Sequence, residues 1–229
     1  MFSASSRNRL TVHDVGRFTG DTLFDRLARA ACRARCLPRK ELYETWEMAR
    51  RVRRLFRGGR VIDLGGGHGL LAHVMLLLDD SSPSAIVIDK ALPRSSDKLH
   101  TVLLQEWPRL SGRIEFLTSA LDGVDICETD VVVSSHACGA LTDRVLDRAL
   151  AANARVAVLP CCHDLKATGA RGLSGWMDGP AAIDVMRAVR LAQHGYRVWT
   201  QMIPAEITAK NRLLLGAPLP GGESNPTTR

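Results

Sequence analysis

One stretch limits the folds open to this chain more than any other. A short apolar run at residues 60–64 breaks into Asp63-Leu64-Gly65-Gly66-Gly67-His68-Gly69. Glycine has no Cβ, so such a segment lets the backbone leave a strand in a sharp turn and come close to a ligand. The apolar residues 70–78 then read as a buried helix. Further short apolar runs at 85–88, 114–117, 130–135 and 155–159 alternate with helical segments at 95–109, 142–152 and 180–194. Thr142 is the expected N-cap of the second of these helices, and Pro180 and Gly195 bound the third. Runs at 196–203 and 212–216 close the series. Strands separated by helices imply a mostly parallel sheet covered on both faces, whose ligands sit at the carboxyl ends of the strands.

Ahead of the glycine turn, residues 21–35 and 40–57 read as two helices broken at Leu37-Pro38, with Leu42, Trp46, Met48, Val52 and Phe56 forming an apolar stripe on the second. A chain of 229 residues has the length of one domain with an appendage. The expected division is a flexible arm over 1–18, a basic helical lead-in over 19–57, the main domain over 58–217, and a disordered tail rich in proline and glycine over 218–229. The longest apolar run stops at Asp79-Asp80, too short to cross a membrane, and the Ser- and Arg-rich start has no apolar core of a signal peptide. Six cysteines in a chain of this kind are expected as reduced thiols in the cytoplasm.

The net charge of +7 is uneven. Residues 26–60 hold eleven arginines and Lys40 against Glu41, Glu44 and Glu47. Such a block predicts a polyanionic partner, with a solvated helix face as the alternative.

About 20 residues beyond the glycine turn, Asp89 ends the second strand, where a carboxylate can accept both hydroxyls of an adenosine ribose. Asp63 in front of the turn suits an amino group. This layout resembles that of class I S-adenosylmethionine-dependent methyltransferases. The resemblance implies a seven-stranded Rossmann-like α/β sheet, mostly parallel with an antiparallel last strand and helices on both faces. It implies S-adenosylmethionine as cofactor, bound by Asp63, Gly65, Gly67, Gly69 and Asp89, with Ser119 past the third strand joining them. Gly67-x-Gly69-x-x-Ala72 also satisfies a dinucleotide fingerprint, which keeps an NAD-dependent oxidoreductase as a rival. Against it, Asp63 has no use beside a pyrophosphate, and neither Tyr43 nor Tyr196 is followed by lysine four residues on.

A second cluster follows strands four and five. His136-Ala-Cys138-Gly139-x-x-Thr142-Asp143 and the later Pro160-Cys161-Cys162-His163-Asp164 converge at one rim if those strands are neighbours. These motifs are similar to the tRNA acceptor-stem 2′-O-methyltransferase family. Ser135-His136-Ala-Cys138-Gly139 with Cys161-Cys162, and Ile207-Thr-Ala-Lys-Asn211-Arg212, also resemble the methyltransferase-like group that includes the glutathione-transferase-C-terminal-domain-containing proteins. The chain departs from the tRNA family in lacking a second histidine after Cys161-Cys162-His163 and a zinc module at its front.

Candidate catalytic residues are His136, Cys138, Asp143, Cys161, Cys162 and His163. His136 or His163 would take the proton from a ribose hydroxyl, and Asp143 or Asp164 would orient a histidine. A thiolate mechanism through Cys138 and Cys161, as in enzymes that methylate carbon 5 of a pyrimidine, is the alternative, although no acid follows strand four. A metal site among His136, Cys138, Cys161, Cys162 and His163 lacks a C-x-x-C pair, and none is expected. The combined expectation is a methyltransferase acting on RNA through the basic segment 26–60. A small-molecule methyltransferase and a non-catalytic cofactor-binding protein are the alternatives.

Overall fold

The computed structural model describes residues 2–164 and 172–220. Seven strands form one sheet: β1 (Val61–Leu64), β2 (Ala85–Asp89), β3 (Ile114–Thr118), β4 (Val131–Ser134), β5 (Arg155–Val158), β6 (Tyr196–Met202) and β7 (Arg212–Pro218). Their order is β3-β2-β1-β4-β5-β7-β6. The first five strands are parallel, and β7 runs antiparallel to both its neighbours. The order reverses between β1 and β4, which puts the switch point at the glycine turn. The expected seven-stranded sheet with an antiparallel last strand is the observed one.

Strands β1 and β4 are buried along their whole length, which is why they read as continuous apolar runs. Helices α1 (Leu23–Ala34), α2 (Arg39–Leu55), α3 (Leu70–Leu78) and α4 (Ser96–Glu106) cover one face, where Met48, Val52 and Phe56 join Val74 and Met75 in a core. Helices α5 (Ala140–Ala151) and α6 (Gly179–Gln193) pack a second core, with Val145, Leu146 and Leu191, on the other face. Capping explains several boundaries. Thr22 accepts the Asp25 amide at the start of α1, Arg35 ends it in the left-handed region, and Asp178 accepts the Ala181 amide at the start of α6. Among the described residues no helix is long and apolar enough to cross a membrane.

Two expectations about the elements are corrected. Residues 2–18 are not a loose arm: Leu10 is fully buried, Phe18 nearly so, and residues 12–17 form a short 3-10 helix. The Leu10 amide donates to the Leu37 carbonyl at 2.9 Å and Arg9 bridges to Pro38, so this segment is pinned to the entry of α2. Polar spacing hid it, because only a few of its residues are apolar anchors. Thr142 is not the N-cap of α5. The helix begins two residues earlier, after Gly139, and the buried Thr142 hydroxyl donates to the Ala137 carbonyl at 2.5 Å. The expected tail lies largely outside the described residues, as does part of the glycine-rich stretch after Asp164.

Candidate functional site

The parallel strands deliver their carboxyl ends to one rim. Asp63 lies one residue before the end of β1 and is fully buried. Its Oδ2 accepts the Ala72 amide at 3.3 Å, while Oδ1 is buried without a hydrogen-bond partner. Burial pushes the Asp63 carboxyl up to about 7, with further push from Asp89 and Glu41 and an opposing pull from the Ala72 amide. An uncompensated carboxylate oxygen under the glycine turn is the partner that an ammonium group satisfies.

The turn itself divides its glycines between two tasks. Gly69 has φ +74°, and a Cβ there would lie 2.8 Å from the Phe116 ring, so it permits close packing of α3 on the sheet. Gly67 has φ +52°, and a Cβ there would meet nothing within 4 Å, so the turn leaves open space for a ligand. Asp89 Oδ2 accepts the Gly67 amide at 3.1 Å, and its Oδ1 accepts the Ala91 amide at 3.2 Å. The Ser119 amide donates to the Asp89 carbonyl at 3.0 Å. Asp63, Gly65, Gly67, Gly69, Asp89 and Ser119 therefore sit around the ends of β1, β2 and β3. This set fits an adenosyl amino acid: an acid for the amino group, an acid for the ribose, and a side-chain-free turn between them.

Glu41, Lys40 and Glu44 from the basic segment and His68 from the glycine turn also reach this rim, with no role there expected from the sequence. Glu41, at the start of α2, is pushed up to about 7 by burial and by Glu44. Its Oε1 lies 4.0 Å from His68 Nδ1, and His68 Nε2 lies 2.9 Å from the Ser95 hydroxyl. Lys40 and the buried Glu44 pair at 2.6 Å. The surrounding basic run disguised Lys40, Glu41 and Glu44, since nothing in the spacing says that the first two turns of α2 reach the rim.

The rim after β4 and β5 brings some of its predicted residues together and separates others. The Cys138 and Cys161 sulfurs lie 2.7 Å apart, and Cys162 joins them with all three sulfurs within 4.8 Å of one another. Burial and the neighbouring thiols raise Cys161. His136 is exposed and has no hydrogen-bond or ion-pair partner among the described residues. Its ring is nonetheless crowded by protein, and this desolvation lowers its pKa below the ordinary 6.5, with Glu44 opposing and Lys40 reinforcing the shift.

His163 does not join the sulfur cluster but is claimed by α6. Its side chain is 2% exposed, and its Nε2–H donates to Asp184 on α6 at 2.8 Å. Asp143 does not orient a histidine: Arg187 holds it with two bonds of 2.9 Å and also donates to the Gly139 carbonyl. Asp184, which accepts from His163, Arg187 and Arg212, orients His163 in its place. No sequence signal marked Asp184 or Arg187, because both are spaced as an ordinary helix surface.

The basic segment is corrected as a rim feature. Arg53 is 2% exposed and donates to the Met75 and Phe56 carbonyls and to Ser82, beside Asp79. Arg57 reaches Asp79, and Arg60 pairs with Asp130 just before β4. These contacts lie where the strands begin, at the end of the sheet opposite the glycine turn. Arg26 and Arg33 share Glu106, Arg29 caps the Phe18 and Gly20 carbonyls, Arg39 meets Asp14, and Arg50 and Arg51 share Glu47. Of the eleven arginines only Arg35 and Arg54 lack such a partner among the described residues.

Comparison with known proteins agrees with this fold. An O-methyltransferase family protein from Burkholderia thailandensis superposes with a TM-score of 0.50 and 21% identity, covering 94% of this chain and 66% of that one. The B. subtilis M1A22 tRNA methyltransferase TrmK gives 0.51 and 14%, covering 75% and 65%. At these identities the likeness concerns the fold. A glutathione S-transferase C-terminal domain-containing protein of Xenopus laevis is 28% identical over 112 residues, 46% of this chain. The aligned part spans 16% of that relative's length. A family model described as a methyltransferase domain matches residues 40–168, more than half of the chain and the whole of the glycine turn, the Asp89 strand end and the cysteine rim. The chain belongs to this methyltransferase-domain family and carries a class I S-adenosylmethionine-dependent methyltransferase domain.

Proposed function

We propose that this enzyme methylates RNA, with a ribose hydroxyl as the acceptor and His136 as the base. The observation that carries the proposal is a set of exposed cations around the cofactor mouth. Lys90 and Arg94 follow β2, Lys98 lies in the first turn of α4, and Lys210 precedes β7. Arg9 acts electrostatically on His68, and Arg9 and Lys98 both act on Cys36, next to Arg35 at the end of α1. None of these side chains is engaged by an acid among the described residues, so they are available to phosphate, unlike the internally paired arginines of α2. The tRNA specificity of the B. subtilis structural neighbour is in keeping with a nucleic-acid acceptor.

In this proposal Asp63 holds the amino group of the cofactor, Asp89 its ribose, and the turn at Gly65, Gly67 and Gly69 lets it lie against the backbone. The cofactor supplies a methyl group already activated on a sulfonium. The protein's tasks are to align the acceptor oxygen in line with that methyl and to remove its proton. His136 is suited to the second task because its lowered pKa keeps the imidazole neutral at pH 7. Lys40, paired to Glu44 beside it, favours that neutral form.

The test is RNA binding as a function of salt. Replacing Arg9, Arg35, Arg94 and Lys98 by Gln should reduce the log-log salt slope by about 3 to 4. Replacing Arg50 and Arg54 should leave it nearly unchanged. An unchanged slope in the first variant, with methyl transfer to a small hydroxyl compound, would favour a small-molecule acceptor.

A further inference from the structure

We propose that Cys138, Cys161 and Cys162 form a three-thiolate site for a soft divalent cation, with zinc as the best match. The three sulfurs come from the two loops that leave the adjacent strands β4 and β5, and all lie within 4.8 Å of one another. A tetrahedral zinc with thiolate bonds near 2.3 Å places its ligand sulfurs about 3.8 Å apart, which is the scale of this cluster. The Cys138–Cys161 pair, at 2.7 Å, is closer than that and would open by about an ångström around an ion.

Both loops are held by bonds that do not involve the sulfurs. The Gly139 amide donates to the Cys162 carbonyl at 3.1 Å, which joins the two loops through the backbone. Arg187 holds the Gly139 carbonyl and Asp143 from below. His163, the residue after Cys162, is fixed to Asp184. The sulfur positions are thus set by bonds that do not involve the sulfurs, as in sites where surrounding hydrogen bonds orient the ligands before the ion arrives. His163 itself, bound to Asp184, lies outside the sulfur cluster.

Cys138 and Cys162 are exposed and Cys161 is half-buried, so the cluster is open to solvent on one side. Three protein ligands and one open position are the arrangement of zinc sites that bind a further ligand, rather than of closed structural sites. The open position takes water or a soft or anionic donor atom of an incoming molecule. Such an ion would also draw the two loops into one unit beside the rim. Coordination releases protons, because each thiol must bind as the thiolate. The lack of a C-x-x-C pair argued against a metal from the sequence, whereas pairing of β4 with β5 supplies the grouping that local spacing does not.

The test uses the full chain, expressed with zinc, purified under reducing conditions without chelator and analysed for metal. The proposal expects about one zinc per chain. It expects loss of that zinc in Cys138→Ala, Cys161→Ala and Cys162→Ala, and retention in Cys127→Ala, whose thiol lies elsewhere. Because a cysteine variant could fail for other reasons, the unmodified protein is also stripped of metal, then alkylated with and without added zinc. Protection of Cys138, Cys161 and Cys162 together, and not of Cys127, supports the site. Cobalt substitution should give a thiolate-to-metal charge-transfer band. Two results would overturn the proposal: fully reduced, metal-free protein whose three thiols zinc does not protect, or zinc that survives replacement of all three. Recovery of Cys138 and Cys161 only as a disulfide, with no metal-bound form, would do the same.

Discussion

Asp89 Oδ2 accepts the Gly67 amide at 3.1 Å, so the acid that ends the second strand already braces the glycine turn that ends the first. One carboxylate thus shapes the turn and also faces the place where ribose hydroxyls are expected. Asp89→Ala should weaken S-adenosylmethionine binding by about 1 to 3 kcal/mol, by leaving hydroxyls unpaired and the turn unbraced. Calorimetry checks this. Asp89→Asn keeps an acceptor oxygen and should lose less.

Asp63 makes a sharper prediction, because its carboxyl is pushed up to about 7 by burial. An acid with a raised folded pKa binds more protons folded than unfolded, so the cofactor-free protein loses stability as pH rises from about 4 to about 7. Asp63→Asn should therefore melt with the unmodified protein below pH 4 and above it near pH 8. The same variant should bind S-adenosylmethionine at least tenfold more weakly at pH 8, a loss of about 1.4 kcal/mol or more. Binding to the unmodified protein should release protons near pH 7, measurable as a dependence of binding heat on the buffer. A Tm difference independent of pH would contradict the account of this carboxylate.

The site was legible only in part. Asp63, Gly67, Gly69 and Asp89 could be found because a turn at a strand end leaves a local mark, in glycines and in a terminal acid. The sheet was equally readable, since β1 and β4 are buried on both faces and carry unbroken apolar runs. The roles of His163 and Asp143 were not readable, because Asp184 and Arg187, which claim them, lie more than twenty residues away on a helix with no distinctive pattern. Nor does charge composition reveal that Arg53 is internal. Only packing against α3 and the Asp79 loop decides that.

Arg53 accordingly belongs to folding and not to nucleic-acid capture. Burial lowers its pKa to about 10, while Asp79 sustains the charge. Arg53→Gln leaves Asp79 partly unpaired and the Met75 and Phe56 carbonyls without a donor, at a cost of about 3 kcal/mol. Chemical denaturation should show that loss. Asp79 itself is held at about 2, against the effect of burial, by hydrogen bonds from Ser81 and Gly58 and by Arg53. Its contribution is present at neutral pH and is lost as pH falls from about 4 towards 2.

His136 should show the behaviour of a base that touches the acceptor. His136→Ala is expected to lower kcat by about 10²- to 10⁴-fold with S-adenosylmethionine affinity unchanged. Since desolvation holds the imidazole below its ordinary 6.5, the acid limb of the rate profile should lie below pH 6.5. Loss of cofactor binding in step with activity would mean that His136 serves the fold of the rim instead.

The most direct measurement is methyl transfer itself: the full chain incubated with methyl-labelled S-adenosylmethionine and total RNA, the RNA then digested to nucleosides. The account predicts label in a 2′-O-methylated nucleoside, reduced in Asp89→Ala and strongly reduced in His136→Ala. Label confined to small molecules, or no label despite bound cofactor, would contradict it.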